Sequence, residues 1–214
     1  MFSDSPFFCK FVLMMDDVFK TIKETTKSIF TEKRSKFIGY AIPVQTVEDV
    51  KLELEKYRKE YYDARHVCWA YMLGADRIEF RSNDDGEPSG TAGKPILGQI
   101  NSNELTDILV IVVRYFGGIK LGTSGLIVAY REAAAQAIGE AEIIEKTVDC
   151  DVSFVFEYPF MNDVMKIVKD LEPTILSQSY DMDCQMSLRI RKGDFDQLIG
   201  RLEKVESLRF DDKD

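Results

Sequence analysis

The chain has 214 residues and carries 28 Lys and Arg against 37 Asp and Glu, a formal net charge of −9. That length is one large domain or two small ones, with enough burial to need no disulfide or metal staple. The acidic balance excludes a generic nucleic-acid coat, which grips phosphate backbones with clustered cations, but leaves room for one local basic site.

Cys9, Cys68, Cys150 and Cys184 form no C-x-x-C pair. They read as reduced thiols of a cytoplasmic protein. The one histidine, His66, excludes a multi-histidine metal centre within the chain. Residues 7–15 are apolar but too few to span a bilayer, and Asp4 ahead of them is the wrong charge for a signal peptide. Residues 1–15 are expected to be a disordered extension, with Met14 or Met15 as an alternative start. No membrane partner is expected.

Lys33, Arg34 and Lys36 form a short basic run, expected on a solvated edge strand. Phe37–Ile42 reads as a strand stopped by Pro43. Thr46 followed by Val47, Glu48 and Asp49 is a helix start, and Val47, Val50, Leu54, Tyr57 and Tyr61 continue it as a stripe at helical spacing. His66–Leu73 is apolar on both faces, hence a central strand. His66, Cys68, Ala70 and Met72 share one face, and Val67, Trp69, Tyr71 and Leu73 the other. Residues 78–80 are its expected antiparallel neighbour. Ile108–Val113 is a buried β-branched strand, and Leu126–Ile138 an alanine-rich helix able to lie close on a sheet.

Two glycine-rich loops lead into helices. The first runs Asp84-Asp85-Gly86-Glu87-Pro88-Ser89-Gly90-Thr91-Ala92-Gly93-Lys94-Pro95. The second runs Arg114-Tyr115-Phe116-Gly117-Gly118-Ile119-Lys120-Leu121-Gly122-Thr123-Ser124-Gly125. Helix N-termini offer unpaired N–H groups to an anion, and Lys94, Arg114 and Lys120 add full charges. Asp84, Asp85 and Glu87 are candidates to hold a hard cation such as Mg²⁺ beside it. Neither loop matches a Walker A or G-x-G-x-x-G motif, and turn-making glycines are an equal explanation. His66 is either a hydrogen-bonded strand-end histidine or the sole catalytic candidate, a proton-transfer or ligand-contact residue.

A boundary is expected between residues 143 and 144. It leaves 18 basic and 21 acidic residues before it, and 10 and 16 after it. Any anion site therefore belongs to 16–143. Residues 144–214 read β-α-β-β-α-β, a ferredoxin-like order. They carry no histidine, cysteine pair or glycine loop, and are expected to bind or dock without chemistry.

The runs Arg65-His66-x-Cys68, Asp84 through Gly93, and Arg114-Tyr115-Phe116-Gly117-Gly118-x-Lys120-Leu121-Gly122 resemble the Impact family, including its bacterial YigZ-like members. Lys33-x-Ser35-x-Phe37-Ile38 resembles that family's first strand. The resemblance covers about residues 20 to 140. Ser124 departs from it, standing where many members have glycine. It implies an α+β protein of two domains. The first is a βα domain like the second domain of a small-subunit ribosomal protein. The second, ferredoxin-like, is similar to the last domain of elongation factor G. It also implies a translation-linked regulatory role, with RNA or the ribosome as partner; the acidic C-terminal part is expected to contact protein. The expected anion site is Arg65, His66, Gly90, Thr91, Gly93, Lys94, Arg114, Gly117, Gly118, Lys120 and Gly122. A binding protein is favoured. The alternative is a metal-dependent enzyme acting on a phosphorylated small molecule.

Overall fold

A computed structural model describes residues 17–180 and 183–211. The expected extension 1–15, with Cys9, lies outside the described residues. The chain divides into two compact units. One is Phe19–Lys146; the other begins at Thr147 and includes Asp17 and Val18. Among the described residues, no helix is long and apolar enough to cross a membrane.

The first unit opens with β1 (Val18–Ile22), β2 (Thr26–Glu32) and β3 (Ser35–Pro43). Helix α1 (Val47–Glu60) starts at a true capping box. Thr46 Oγ1 accepts from the Asp49 N–H at 3.1 Å, and Asp49 Oδ2 accepts from the Thr46 N–H at 2.9 Å. Such a cap stabilises a helix by about 1 kcal/mol. Strands β4 (His66–Leu73) and β5 (Glu79–Asn83) follow, then α2 (Gly93–Ser102), β6 (Ile108–Tyr115), α3 (Gly122–Gly139) and β7 (Ile143–Thr147).

Five strands make one antiparallel sheet in the order β2-β3-β6-β4-β5. β6 lies at its centre and buries seven residues in succession, from Ile108 to Arg114. The two faces of β4 divide as the alternation predicts. Cys68, Ala70 and Met72 pack towards α2 and α3. Val67, Trp69, Tyr71 and Leu73 pack with Val50 and Tyr57 of α1. The alanines of α3 allow close approach: a Cβ on Gly39 of β3 would stand 2.6 Å from the Ala133 carbonyl oxygen.

Several expectations need correction. The position expected as a boundary, 143/144, falls inside β7, which pairs with β1. Its charged residues disguised a short two-stranded ribbon as a linker. β1 and β2 were not legible because their polar and apolar residues alternate weakly. The basic run is not edge strand. Lys33 and Arg34 form the β2–β3 hairpin turn, with φ of 44° and 66°. Helix α3 starts at Gly122, four residues before the expected Leu126.

The second unit contains β8 (Asp149–Phe156), a 3₁₀ turn (Tyr158–Phe160), α4 (Met161–Leu171), β9 (Thr174–Tyr180), β10 (Cys184–Arg191), α5 (Lys192–Leu202) and β11 (Arg209–Phe210). Its antiparallel sheet runs β11-β8-β10-β9. The inward residues of β8 and β10, including Phe154, Phe156, Met186 and Leu188, pack on Val164, Ile167 and Leu198 of the two helices. Glu172 ends α4 in a left-handed cap ahead of Pro173.

Candidate functional site

Antiparallel pairing gathers one set of strand ends. β6 ends where β3 and β4 begin and where β2 and β5 end, since Tyr115 faces Lys36, Arg114 faces His66, and Asn83 faces Trp69. The two glycine-rich loops leave from the ends of β5 and β6, so they emerge on the same side. One rung across the sheet sets Phe37, Arg114 and His66 side by side.

The first loop folds around its own carboxylate. Asp84 Oδ1 accepts from the Ala92 and Gly93 N–H groups at 2.9 and 2.8 Å, and Oδ2 from the Gly90 N–H at 2.8 Å. Partial burial pushes this carboxyl up, but the three N–H donations and nearby Lys94 outweigh it and hold it below the ordinary value. Thr91 closes the turn, with Oγ1 donating to the Pro88 carbonyl at 2.6 Å. The N-terminus of α2 is thus already occupied by an internal anion. Gly90, Thr91 and Gly93 build this clasp, and the exposed Lys94 stands over it.

The second loop is different. Among the described residues, helix α3 has no side-chain cap at its N-terminus. Gly122 and Thr123 of that end line a cavity of about 540 Å³, together with Arg65, His66, Glu87, Pro88, Arg114, Phe116, Lys120, Leu121 and Leu126. Gly117 fixes the loop base: its N–H donates to Ser35 Oγ at 3.2 Å. Any Cβ there would overlap the backbone of Arg34. Gly118 (φ +87°) faces open space. The structure therefore brings Arg65, His66, Arg114, Lys120 and Gly122 to one cavity. It leaves Gly90, Thr91, Gly93, Lys94, Gly117 and Gly118 off its wall.

Beneath the cavity lies a buried polar chain. Arg114, only 6% exposed, donates through Nη1 to Glu87 Oε1 at 2.5 Å, and Glu87 is 8% exposed. Tyr130 of α3 donates its hydroxyl to the same oxygen at 2.9 Å. The Cys68 thiol lies 3.3 Å from the Tyr130 hydroxyl and 3.0 Å from the Asp84 carbonyl. Burial pushes the Cys68 thiol and the Tyr130 phenol far up, so both stay neutral. Arg114 also sits against the rings of Phe37 and Phe116, at 5.6 and 5.7 Å from their centroids. Among the described residues its Nε has no partner.

His66 is held from behind. Its Nδ1 is 2.7 Å from the Asp85 carbonyl oxygen, which only accepts, so Nδ1 carries the proton. Nε2 is left as an acceptor when the ring is neutral, 3.8 Å from Glu87 Oε1. Asp85 adopts φ 44° to do this. Its carboxylate accepts from the Val67 N–H at 2.7 Å and from Arg58 at 3.3 Å.

The cation expectation is corrected on this geometry. Asp84 and Asp85 spend both carboxylate oxygens on protein donors, and Glu87 spends Oε1 on Arg114 and Tyr130. Among the described residues, no group of three or more His, Cys, Asp and Glu could hold a metal ion. The carboxylates do not fit Mg²⁺, which binds through carboxylate oxygens in a near-ideal octahedral shell. Sequence reasoning also missed two residues. Tyr130 was hidden among the alanines of α3, where a tyrosine hydroxyl in a core helix is the available signal of a buried partner. Phe116 stands in the second glycine-rich loop, where an aromatic between Arg114 and a glycine pair is the available signal.

Comparison with known proteins agrees with the motifs. The family model described as the Impact N-terminal domain matches residues 33–138. An IMPACT family member of Haemophilus influenzae is 36% identical over 183 residues, covering 82% of this chain and 86% of its own. The IMPACT family member YigZ of Escherichia coli is 37% identical over 150 residues, covering 69% of this chain and 74% of its own. A crystal structure of a hypothetical protein superposes with a TM-score of 0.71 at 30% identity, covering 92% of this chain and 97% of the other. With two α+β units, antiparallel sheets and relatives matched along most of their length, the chain belongs to the IMPACT family as a YigZ-like member.

Proposed function

We propose that this is a cytoplasmic, translation-linked regulatory binding protein whose first unit holds a small anion, an RNA phosphate or a phosphorylated ligand. The observation that carries this reading is the charge around the cavity. Arg65, Arg114 and Lys120 line it against the single carboxylate of Glu87, beside an uncapped helix N-terminus. Buried Glu87 neutralises buried Arg114, so the net attraction comes from Arg65, Lys120 and the α3 dipole. Under this reading the site is Arg65, His66, Arg114, Lys120 and Gly122. Gly90, Thr91, Gly93 and Lys94 shape the neighbouring loop. The metal-dependent enzyme is the weaker reading, because both oxygens of Asp84 and of Asp85 and Oε1 of Glu87 accept from protein donors.

The translation link rests on family membership and on the resemblance of the two parts to domains of translation proteins. The β-α-β-β-α-β order and four-stranded antiparallel sheet of the second unit support the ferredoxin-like likeness to elongation factor G. That unit is the more acidic part and has an apolar core, which suits a protein partner. Fold likeness alone does not assign function.

The test is fluorescence anisotropy of a labelled single-stranded RNA across a salt series, comparing the natural chain with Arg65→Ala/Lys120→Ala. Arg114 is left intact, since its loss would strand Glu87 in the core. The expected result is weaker binding and a salt slope shallower by about 0.7 for each lost contact. Identical affinity and slope would remove the reading.

A further inference from the structure

We propose that the cavity takes a single nucleoside monophosphate unit, with the phosphate at Lys120 and the α3 terminus and the base against Phe116. This rests on the anion-site reading above and names its ligand class.

Size is the first argument. A cavity of about 540 Å³ is of small-molecule dimensions. A bare phosphate would leave most of it wet. Its wall is the second argument. Pro88, Leu121 and Leu126 join the cations in lining it, so the cavity asks for a ligand with an apolar or aromatic body as well as charge. Phe116 is the third. It is 50% exposed on the cavity wall, so its ring is accessible to a ligand there. Arg114 sits against it, and the locked Gly117 that follows fixes the loop base. A ring held in place stacks a base at little ordering cost.

The hydrogen-bonding inventory points the same way. Arg114 is nine-tenths buried and lines the cavity, and among the described residues its solvent-inaccessible Nε has no partner. When its ring is neutral, His66, with Nδ1 tied to the Asp85 carbonyl, offers Nε2 as an acceptor. A phosphate dianion cannot satisfy an acceptor, whereas a sugar hydroxyl can.

Isothermal titration of the full chain with adenosine monophosphate, ribose 5-phosphate, adenosine and inorganic phosphate tests this. Adenosine monophosphate is expected to bind on the order of tenfold tighter than ribose 5-phosphate, as one stacked base provides. Phe116→Ala should erase that ratio, and Phe116→Trp should keep it. Lys120→Ala should weaken both phosphates alike. Equal binding of the two phosphates, or a ratio that survives Phe116→Ala, overturns the proposal while the anion site stands. Failure of every phosphate to bind overturns both. A 5′-phosphorylated tetranucleotide separates the sources. Tighter binding than the free nucleotide assigns an RNA end, and equal or weaker binding assigns the nucleotide itself. Either outcome supports the shared chemistry.

Discussion

The two glycine-rich loops look alike in sequence and do opposite things. Both leave a strand end, carry a lysine and lead into a helix. In the first, Asp84 reaches over and takes the N–H groups that an outside anion would need. In the second, no side chain among the described residues caps α3, and its first residues line a cavity. One loop is closed on an internal anion, and the other leaves its helix N-terminus on a cavity wall. A helix N-terminus is thus a site only when the chain has not already filled it.

The largest expected effect breaks the join between the loops. Glu87 belongs to the first loop, and its partner Arg114 begins the second. Glu87→Gln leaves a buried guanidinium without its counter-charge, and should destabilise the first unit by about 3–5 kcal/mol. Trp69, the chain's one tryptophan, lies in that unit, so urea unfolding followed by its fluorescence reports the change. An effect below about 1 kcal/mol would mean that the two loops are held together by other means.

Asp84→Asn comes next. It removes the charge that holds the first loop closed, at an expected cost of about 1–3 kcal/mol at pH 7. The carboxyl is held below its ordinary value of 3.8, so its stabilisation is complete above that value and fades as pH falls through the folded one. The gap between natural chain and variant should therefore close in acid, which urea titrations at pH 7 and pH 3 would check. The smallest expected effect is the sharpest contrast. Lys94→Ala should leave phosphate affinity unchanged and shift stability by a few tenths of a kcal/mol, whereas Lys120→Ala should weaken binding. Equal losses from the two lysines would erase the distinction between the loops.

Local features were legible in the sequence, and distant pairings were not. The capping box of α1 could be read because Thr46 and Asp49 are three residues apart. The two faces of β4 follow from strict alternation. The α3 start was misread because Gly122 and Gly125 have poor helix propensity, and tertiary packing overrides it. The clasp spans six to nine residues of a loop with three carboxylates, and nothing local says which one turns inward. The Glu87–Arg114 pair spans 27 residues and exists only once β4 and β6 have set their register. Composition suggested metal ligands there; geometry made the same residues internal counter-charges.

The position of β6 has a consequence for how the chain is made. β6 lies between β3 and β4, yet it follows both in the chain. As synthesis proceeds, the hairpins β2–β3 and β4–β5 can each close locally, but neither has its inner neighbour until Tyr115 has emerged. During that interval both present an unpaired apolar edge. The missing piece, Ile108 to Val113, is six uncharged, mostly β-branched residues, the composition most prone to pairing with copies of itself. Assembly of the cavity therefore waits on the arrival of the strand that carries Arg114, and the nascent chain is most vulnerable to aggregation just before that cavity comes into being.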